Sequence, residues 1–245
     1  MAVHGGPYII TDSSLIVHYD VADEACWPQS GSTIFDLATN KVNGDTFNCS
    51  MSASKAYCRG NVITMDGTNS YVHFSGLDLD DDPFTQEVWV YPQGWDNSTT
   101  YQIWSDNAGG NPLSAMQIYN GDGSNGYENK WSGVVRDDGG TIAYASSSTV
   151  PANDTWVHLA YVRAGAADSN TFQFYVNGKL ECNLTGDSAD DVGATDGIGA
   201  DRIGGTPEGN KSWKGSLGPF RIYTKAFGPE EVLQNFNAQR GRFGL

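Results

Sequence analysis

The stretch from Thr155 to Leu184, TWVHLAYVRAGAADSNTFQFYVNGKLECNL, constrains the fold more than any other part of the chain. Trp156, His158, Ala160 and Val162 alternate with Val157, Leu159, Tyr161 and Arg163, and Phe172, Phe174 and Val176 then share a face opposite Gln173 and Tyr175. A period of two is the pattern of a strand with one face buried. Asn177-Gly178 reverses the chain into Leu180, Cys182 and Leu184. A type I′ turn needs positive φ at both central residues, which Asn and Gly adopt readily. An antiparallel meander of three strands follows, and the remaining strands must stack on it.

The same reading gives a strand through Leu15, Val17 and Tyr19, with Ile16 and His18 opposite. A second hairpin is expected over Asn61 to Phe74, turning at Asp66-Gly67-Thr68-Asn69. Phe84 to Tyr91 (FTQEVWVY) is a strand ended by Pro92, and shorter strands are expected at 101–105, 114–119, 131–136, 142–145, Arg202 to Gly204 and Lys214 to Tyr223. Cys26 to Asn43 reads as loop. One helix is expected near the end. Pro229 suits its first position, Glu230 and Glu231 complement its dipole, Val232, Leu233 and Phe236 share a face, and Gly241 closes it. About a dozen strands with turn signals every 8–12 residues indicate an all-β, two-sheet antiparallel jelly-roll sandwich with one short C-terminal helix. The expected organisation is an N-terminal arm at 1–11, a sandwich at 12–240 and a tail at 241–245, with arm and tail docking to neighbouring subunits.

The formal charge of −15 argues against nucleic acid as a partner, since phosphate binding needs clustered Lys and Arg. The acids are mostly Asp set among Gly, Asn and Ser, which is turn chemistry. No apolar run approaches the length of a membrane-spanning helix, and MAVHGGPYII lacks the basic-then-apolar order of a secretory signal. Cys26, Cys49, Cys58 and Cys182 show no CxxC spacing for zinc and are expected as free thiols.

Six segments in order are a strand ending in HYD, TMDGTNSYVHF, FTQEVWVYP, TWVHLAYVR, FYVNGKL and GSLGPFRIYTKAFGPEEVLQNFNAQRG. Together they resemble the laminin-G-like, concanavalin A-like jelly-roll domains over nearly the whole chain. The beginning, GPYIITDSSLIVHYD, and the ending, EEVLQNFNAQRGRFGL, are similar to versions in virion structural proteins of tailed bacteriophages. That resemblance implies a non-enzymatic virion surface protein, decorating the head or forming part of a fibre and assembled in the host cytoplasm. It implies capsid or tail subunits and further copies of the chain as partners, with weak adhesion to cell-surface polysaccharide. A carbohydrate-binding tail-fibre adhesin is the alternative, and a glucanase-type glycoside hydrolase the third.

Each reading names residues. Glucanases of this fold place paired carboxylates along one strand, and retaining hydrolysis needs the two about 5–5.5 Å apart. FTQEVWVY offers Glu87 alone, flanked at alternate positions by Thr85 and Trp89, so no catalytic residue is assigned. Many laminin-G-like domains bind Ca²⁺ through Asp oxygens, which makes Ca²⁺ the candidate cofactor and Asp78, Asp80 and Asp82 its candidate ligands. A sugar site needs aromatic faces ringed by polar groups. Trp95, Trp104, Asp106, Asn107, Tyr119, Asn120, Tyr127 and Trp131 supply that composition. The same aromatics could instead pack inward.

Overall fold

The computed structural model describes residues 7–52, 58–75, 77, 79, 83–96, 99–106, 114–119, 128–136, 142–165, 171–185, 201–205 and 211–245. Its strands are β1 (Leu15–Tyr19), β2 (Thr33–Ile34), β3 (Gly44–Phe47), β4 (Ser50–Ser52), β5 (Val62–Asp66), β6 (Tyr71–Phe74), β7 (Phe84–Pro92), β8 (Tyr101–Asp106), β9 (Ser114–Tyr119), β10 (Lys130–Arg136), β11 (Ile142–Ser146), β12 (Val157–Ala164), β13 (Thr171–Val176), β14 (Lys179–Thr185), β15 (Asp201–Ile203) and β16 (Lys214–Tyr223), followed by helix α1 (Pro229–Gln239). They form two eight-stranded antiparallel sheets. The first runs β14-β13-β12-β7-β16-β5-β4, with β1 added on β16; the second runs β11-β10-β9-β8-β15-β6-β3-β2. The sandwich and its C-terminal helix, the one α-helix among the described residues, are those the strand pattern indicates.

The meander β12-β13-β14 forms as the alternation requires. Asn177 and Gly178 hold φ of 51° and 76°, the left-handed pair that a two-residue hairpin turn needs. Val157, Leu159, Tyr161, Phe172, Phe174 and Val176 all face inward, into the core between the sheets.

The expected hairpin over Asn61 to Phe74 is not one. β5 pairs with β16 and β4 in the first sheet, whereas β6 pairs with β15 and β3 in the second. The turn is therefore a corner between layers. Asp66 Oδ1 accepts from the Thr68 and Asn69 amides at 2.8 and 3.2 Å and from Ser70 Oγ at 2.9 Å. These bonds fix a bend that the same residues would also suit in a hairpin. The loop reading of Cys26 to Asn43 likewise omits β2, a two-residue strand too short to show a period.

Strand β7 lies between β12 and β16 and is buried along its whole length. Phe84, Val88 and Val90 point into the core between the sheets. Trp89 and Tyr91 point the other way, into a second apolar cluster with Phe236 and Phe243. The cover over this outer face is α1. Gly228 N donates to Glu231 Oε2 at 3.0 Å, capping the helix start, and Val232, Asn235 and Phe236 face the sheet. Leu233, expected on the packed face, is 44% exposed instead. The chain does not stop at Gly241, which lies within a 3-10 turn over Arg240–Arg242.

The described part of the expected arm, from Pro7, and the expected tail pack on this same side. Ile10 N donates to Asn235 Oδ1 at 2.8 Å, and Gln234 Nε2 donates to the Tyr8 carbonyl at 2.9 Å. Phe243 is only 2% exposed. Arg242 anchors the turn before it through Asp20 at 2.6 Å and the carbonyls of Arg59 and Asn61. The first six residues of the expected arm lie outside the described residues.

Candidate functional site

The two sheets differ in what covers them. On the first, the outer face carries Glu87, Arg221 and His158 beneath α1, all buried. Arg221 and Glu87 are cross-strand partners in the β16–β7 register, and His18 of β1 is the partner of Arg221 on the other side. Asn235 of the helix donates through Nδ2 to Glu87 Oε2 at 2.8 Å and to the Tyr223 hydroxyl at 3.1 Å. His158 Nε2 lies 3.8 Å from Glu87 Oε1. Burial pushes the Glu87 carboxyl up to about 7, against the opposing pull of Arg221 and the Asn235 hydrogen bond. Burial and the Arg221 charge push both His158 and His18 down to about 3.

A raised carboxyl in a cleft would suit a general acid. Glu87, however, lies under a helix with Arg221, Asn235 and His158 about it, and among the described residues no second carboxylate faces it. The pairing that bond cleavage needs is not assembled there. The cluster ties helix to sheet.

The outer face of the second sheet carries no helix among the described residues. Strand register places side chains on it in rows. Gln102, Gln117, Ser132 and Ser146 are successive cross-strand partners on β8, β9, β10 and β11. Gln102 Nε2 donates to Gln117 Oε1 at 3.4 Å, and the Ser132 and Ser146 hydroxyls lie 2.7 Å apart. Gln102, Gln117 and Ser132 are buried, and the Gln102 Oε1 atom lacks a partner. Tyr119 and Tyr144 pack together on this face with ring centroids 4.7 Å apart, each half-buried. Further along, Phe47 of β3 stacks on Tyr71 of β6 at 4.6 Å, and the Arg202 guanidinium sits 4.2 Å from the centre of the Tyr71 ring. His73 lies between Arg202 and Asp45 in the same register.

The sugar-site candidates divide accordingly. Tyr119 is on the outer face of the second sheet, half-buried. Trp104 and Trp131 are not: each is 0% exposed and packed between the sheets, opposite the inner side of the first. Their burial follows the inward alternative. A register shift between Gln102 and Trp104 places Trp104 on the inner side. Trp95 is half-buried against the core, its amide donating to Asn153 Oδ1 at 3.0 Å and its carbonyl accepting from Asn153 Nδ2 at 3.1 Å. Asp106 ends β8, opposite Ser114 and Asp201. Asn107, Asn120 and Tyr127 lie outside the described residues, as do Asp78, Asp80 and Asp82. Among the described residues, no three His, Cys, Asp or Glu side chains converge to hold a metal ion. The four cysteines are free thiols, and burial pushes Cys26 and Cys49 up to about 12.

Sequence reasoning missed Tyr144, Phe47, Tyr71 and Arg202. Phe47 follows the segment read as loop, and Tyr71 lies in the expected hairpin, whose two strands belong to different sheets. An available signal was the alternation Tyr71, His73 against Val72, Phe74, which already separates an outer row from a core row.

Solved structures share the architecture. The binding domain of Paraclostridial Mosquitocidal Protein 1 superposes with a TM-score of 0.68 at 16% identity, covering 94% of this chain and 53% of that one. Domain 4 of AbnA, a GH43 extracellular arabinanase from Geobacillus stearothermophilus solved in complex with arabinotriose, gives 0.64 at 17% identity, covering 91% of this chain and 98% of that one. The botulinum neurotoxin serotype D ligand binding domain in complex with N-acetylneuraminic acid gives 0.64 at 12%, covering 93% of this chain and 51% of that one. The chain thus spans about half the length of the two toxin chains and almost the whole arabinanase domain. A search of curated proteins finds no match. The Laminin_G_3 family matches residues 66–233, well over half of the sequence. The chain belongs to this family, described as the concanavalin A-like lectin/glucanases superfamily.

Proposed function

We propose that this domain is a non-catalytic glycan-binding module whose binding face is the outer side of the second sheet. The observation that carries this reading is the pairing of partly exposed aromatic rings, Tyr119 with Tyr144 and Phe47 with Tyr71, on one face of the second sheet, with Lys130 and Ser146 half-buried in the same outer rows. Aromatic faces pack on the apolar side of a sugar ring while amide and hydroxyl groups meet its hydroxyls. The likeness to an arabinanase domain in complex with arabinotriose supports the reading at the level of fold. A single shallow site of this kind binds near millimolar, about 4 kcal/mol, so useful adhesion requires several copies on one particle.

The test is a glycan array probed with the chain displayed multivalently on beads. Binding to at least one glycan class, lost in F47A or Y144A, is expected; no binding to any glycan would overturn the proposal. Incubation with laminarin should release no reducing ends, and release would restore the glucanase reading.

The setting we propose is a phage virion surface, in a head decoration or fibre, with homo-oligomers among capsid or tail subunits. The resemblance of the two ends to virion proteins supports it. Its test is mass spectrometry of purified particles. Ca²⁺ belongs to the same proposal, with Asp78, Asp80 and Asp82 as ligands, and a thermal midpoint unmoved between Ca²⁺ and chelator would remove it.

A further inference from the structure

We infer that the β3–β6–β15 end of the open face selects carboxylate-bearing sugars, with Arg202 as the residue that reads the acid. This rests on the glycan-binding reading and specifies its ligand class.

Three observations converge. Arg202 stands in the outer row of the second sheet, and its guanidinium is held against the Tyr71 ring at 4.2 Å. Stacking fixes the plane of the fork before any ligand arrives, which lowers the ordering cost of a bidentate contact. Second, its Nε is buried and has no hydrogen-bond partner among the described residues. The acid in its row, Asp45, is not spent on it: Thr33 Oγ1 donates to Asp45 Oδ1 at 3.0 Å, with His73 intervening between the strands. Third, Phe47 stacks on the other side of Tyr71 and is 43% exposed. An apolar ring surface therefore lies two strand spacings, about 10 Å, from the cation.

A sugar resting on Phe47 can direct a neighbouring carboxylate onto Arg202. Planar, two-point recognition of a carboxylate is what a guanidinium does better than an ammonium. Neutral sugars meet the aromatic surface but offer the guanidinium no anionic partner. The net charge of −15 opposes an acidic ligand over most of the surface, so a preference for the acid form needs a local cation such as this one.

The experiment titrates the full chain with galacturonate oligosaccharides and with the same oligosaccharides fully methyl-esterified, which keeps the ring and removes the charge. The expected result is that the acid form binds about tenfold or more tightly, as a charged hydrogen-bonded contact gives, and that R202Q erases this difference while leaving the thermal midpoint and the residual neutral binding in place. R202K should recover only part of the preference. Equal binding of the two forms would overturn the inference while leaving the glycan-binding reading intact. Binding to no glycan at all would overturn both. A preference for the acid that survives R202Q would also overturn it, since the selecting group would then be elsewhere.

Discussion

Phe243 lies flat on Trp89, ring centroids 4.2 Å apart and planes 16° from parallel. Trp156 closes the other side of Phe243 at 4.7 Å. Phe243, two residues before Leu245, is thus tied to the middle of the first sheet. We expect F243A to cost about 3–5 kcal/mol, the range for emptying a buried aromatic site. Urea unfolding of wild type and variant checks this, and an unchanged midpoint would show that the ring is not part of the core.

Asn235 should be as costly to lose for a different reason. Its side chain accepts from Ile10 N and donates to Glu87 and to the Tyr223 hydroxyl. N235A would leave Glu87 Oε2 and the Ile10 amide without this partner, at about 1–3 kcal/mol for each orphaned group, while the Tyr223 hydroxyl would keep its bond to the Ile10 carbonyl at 3.1 Å. Hydrogen exchange should show α1 and the segment at 7–11 losing protection together, ahead of the second sheet.

The buried cluster also makes stability depend on pH in a way that one substitution can dissect. Glu87 titrates near 7 in the fold against an ordinary 4.5, so the folded chain keeps a proton that the unfolded chain releases. Its contribution is full below about 4.5 and is lost as pH rises through about 7. His18 and His158 act oppositely, titrating near 3 against an ordinary 6.5, so their contribution is present above 6.5 and lost as pH falls towards 3. Between about 4.5 and 6.5 two histidines oppose one carboxyl, and stability should rise with pH before easing as Glu87 ionises. E87Q removes the opposing group. Its stability should climb more steeply over that interval and lose the decline above it. Unfolding midpoints from pH 4 to pH 8 test this, and parallel curves for the two proteins would refute it.

A fourth expectation concerns contact between the layers. A Cβ added at Gly133 of β10 would stand 2.2 Å from the Tyr161 ring, which β12 sends across from the first sheet. G133A should therefore push the sheets apart locally and destabilise by about 1–3 kcal/mol. The double variant G133A/Y161L should recover much of the loss; no recovery would place the strain elsewhere.

Much of this architecture is legible in the sequence because alternation survives wherever a strand has one wet face, as in the meander after Trp156. It fails at β7. There both faces are buried, and FTQEVWVY shows that Glu87 lies in a strand but not that a helix more than a hundred residues later covers it. The parity of Trp104 was lost at the register shift beside it, so a tryptophan suited to a sugar turned out to fill the core. Asp66 to Ser70 satisfies its own hydrogen bonds whether the strands it joins pair or diverge, so local chemistry cannot distinguish corner from hairpin. Arg202 and Phe47 come together only through β6, and no spacing in the sequence relates them.

Tyr8 and Phe243, near the two ends, both rest on the helical side of the molecule. Anything joined after Leu245 is therefore attached on that side, with the outer face of the second sheet turned away from the anchor. A protein mounted by its C-terminal end would present Phe47, Tyr71 and Arg202 away from its anchor in every copy of an array.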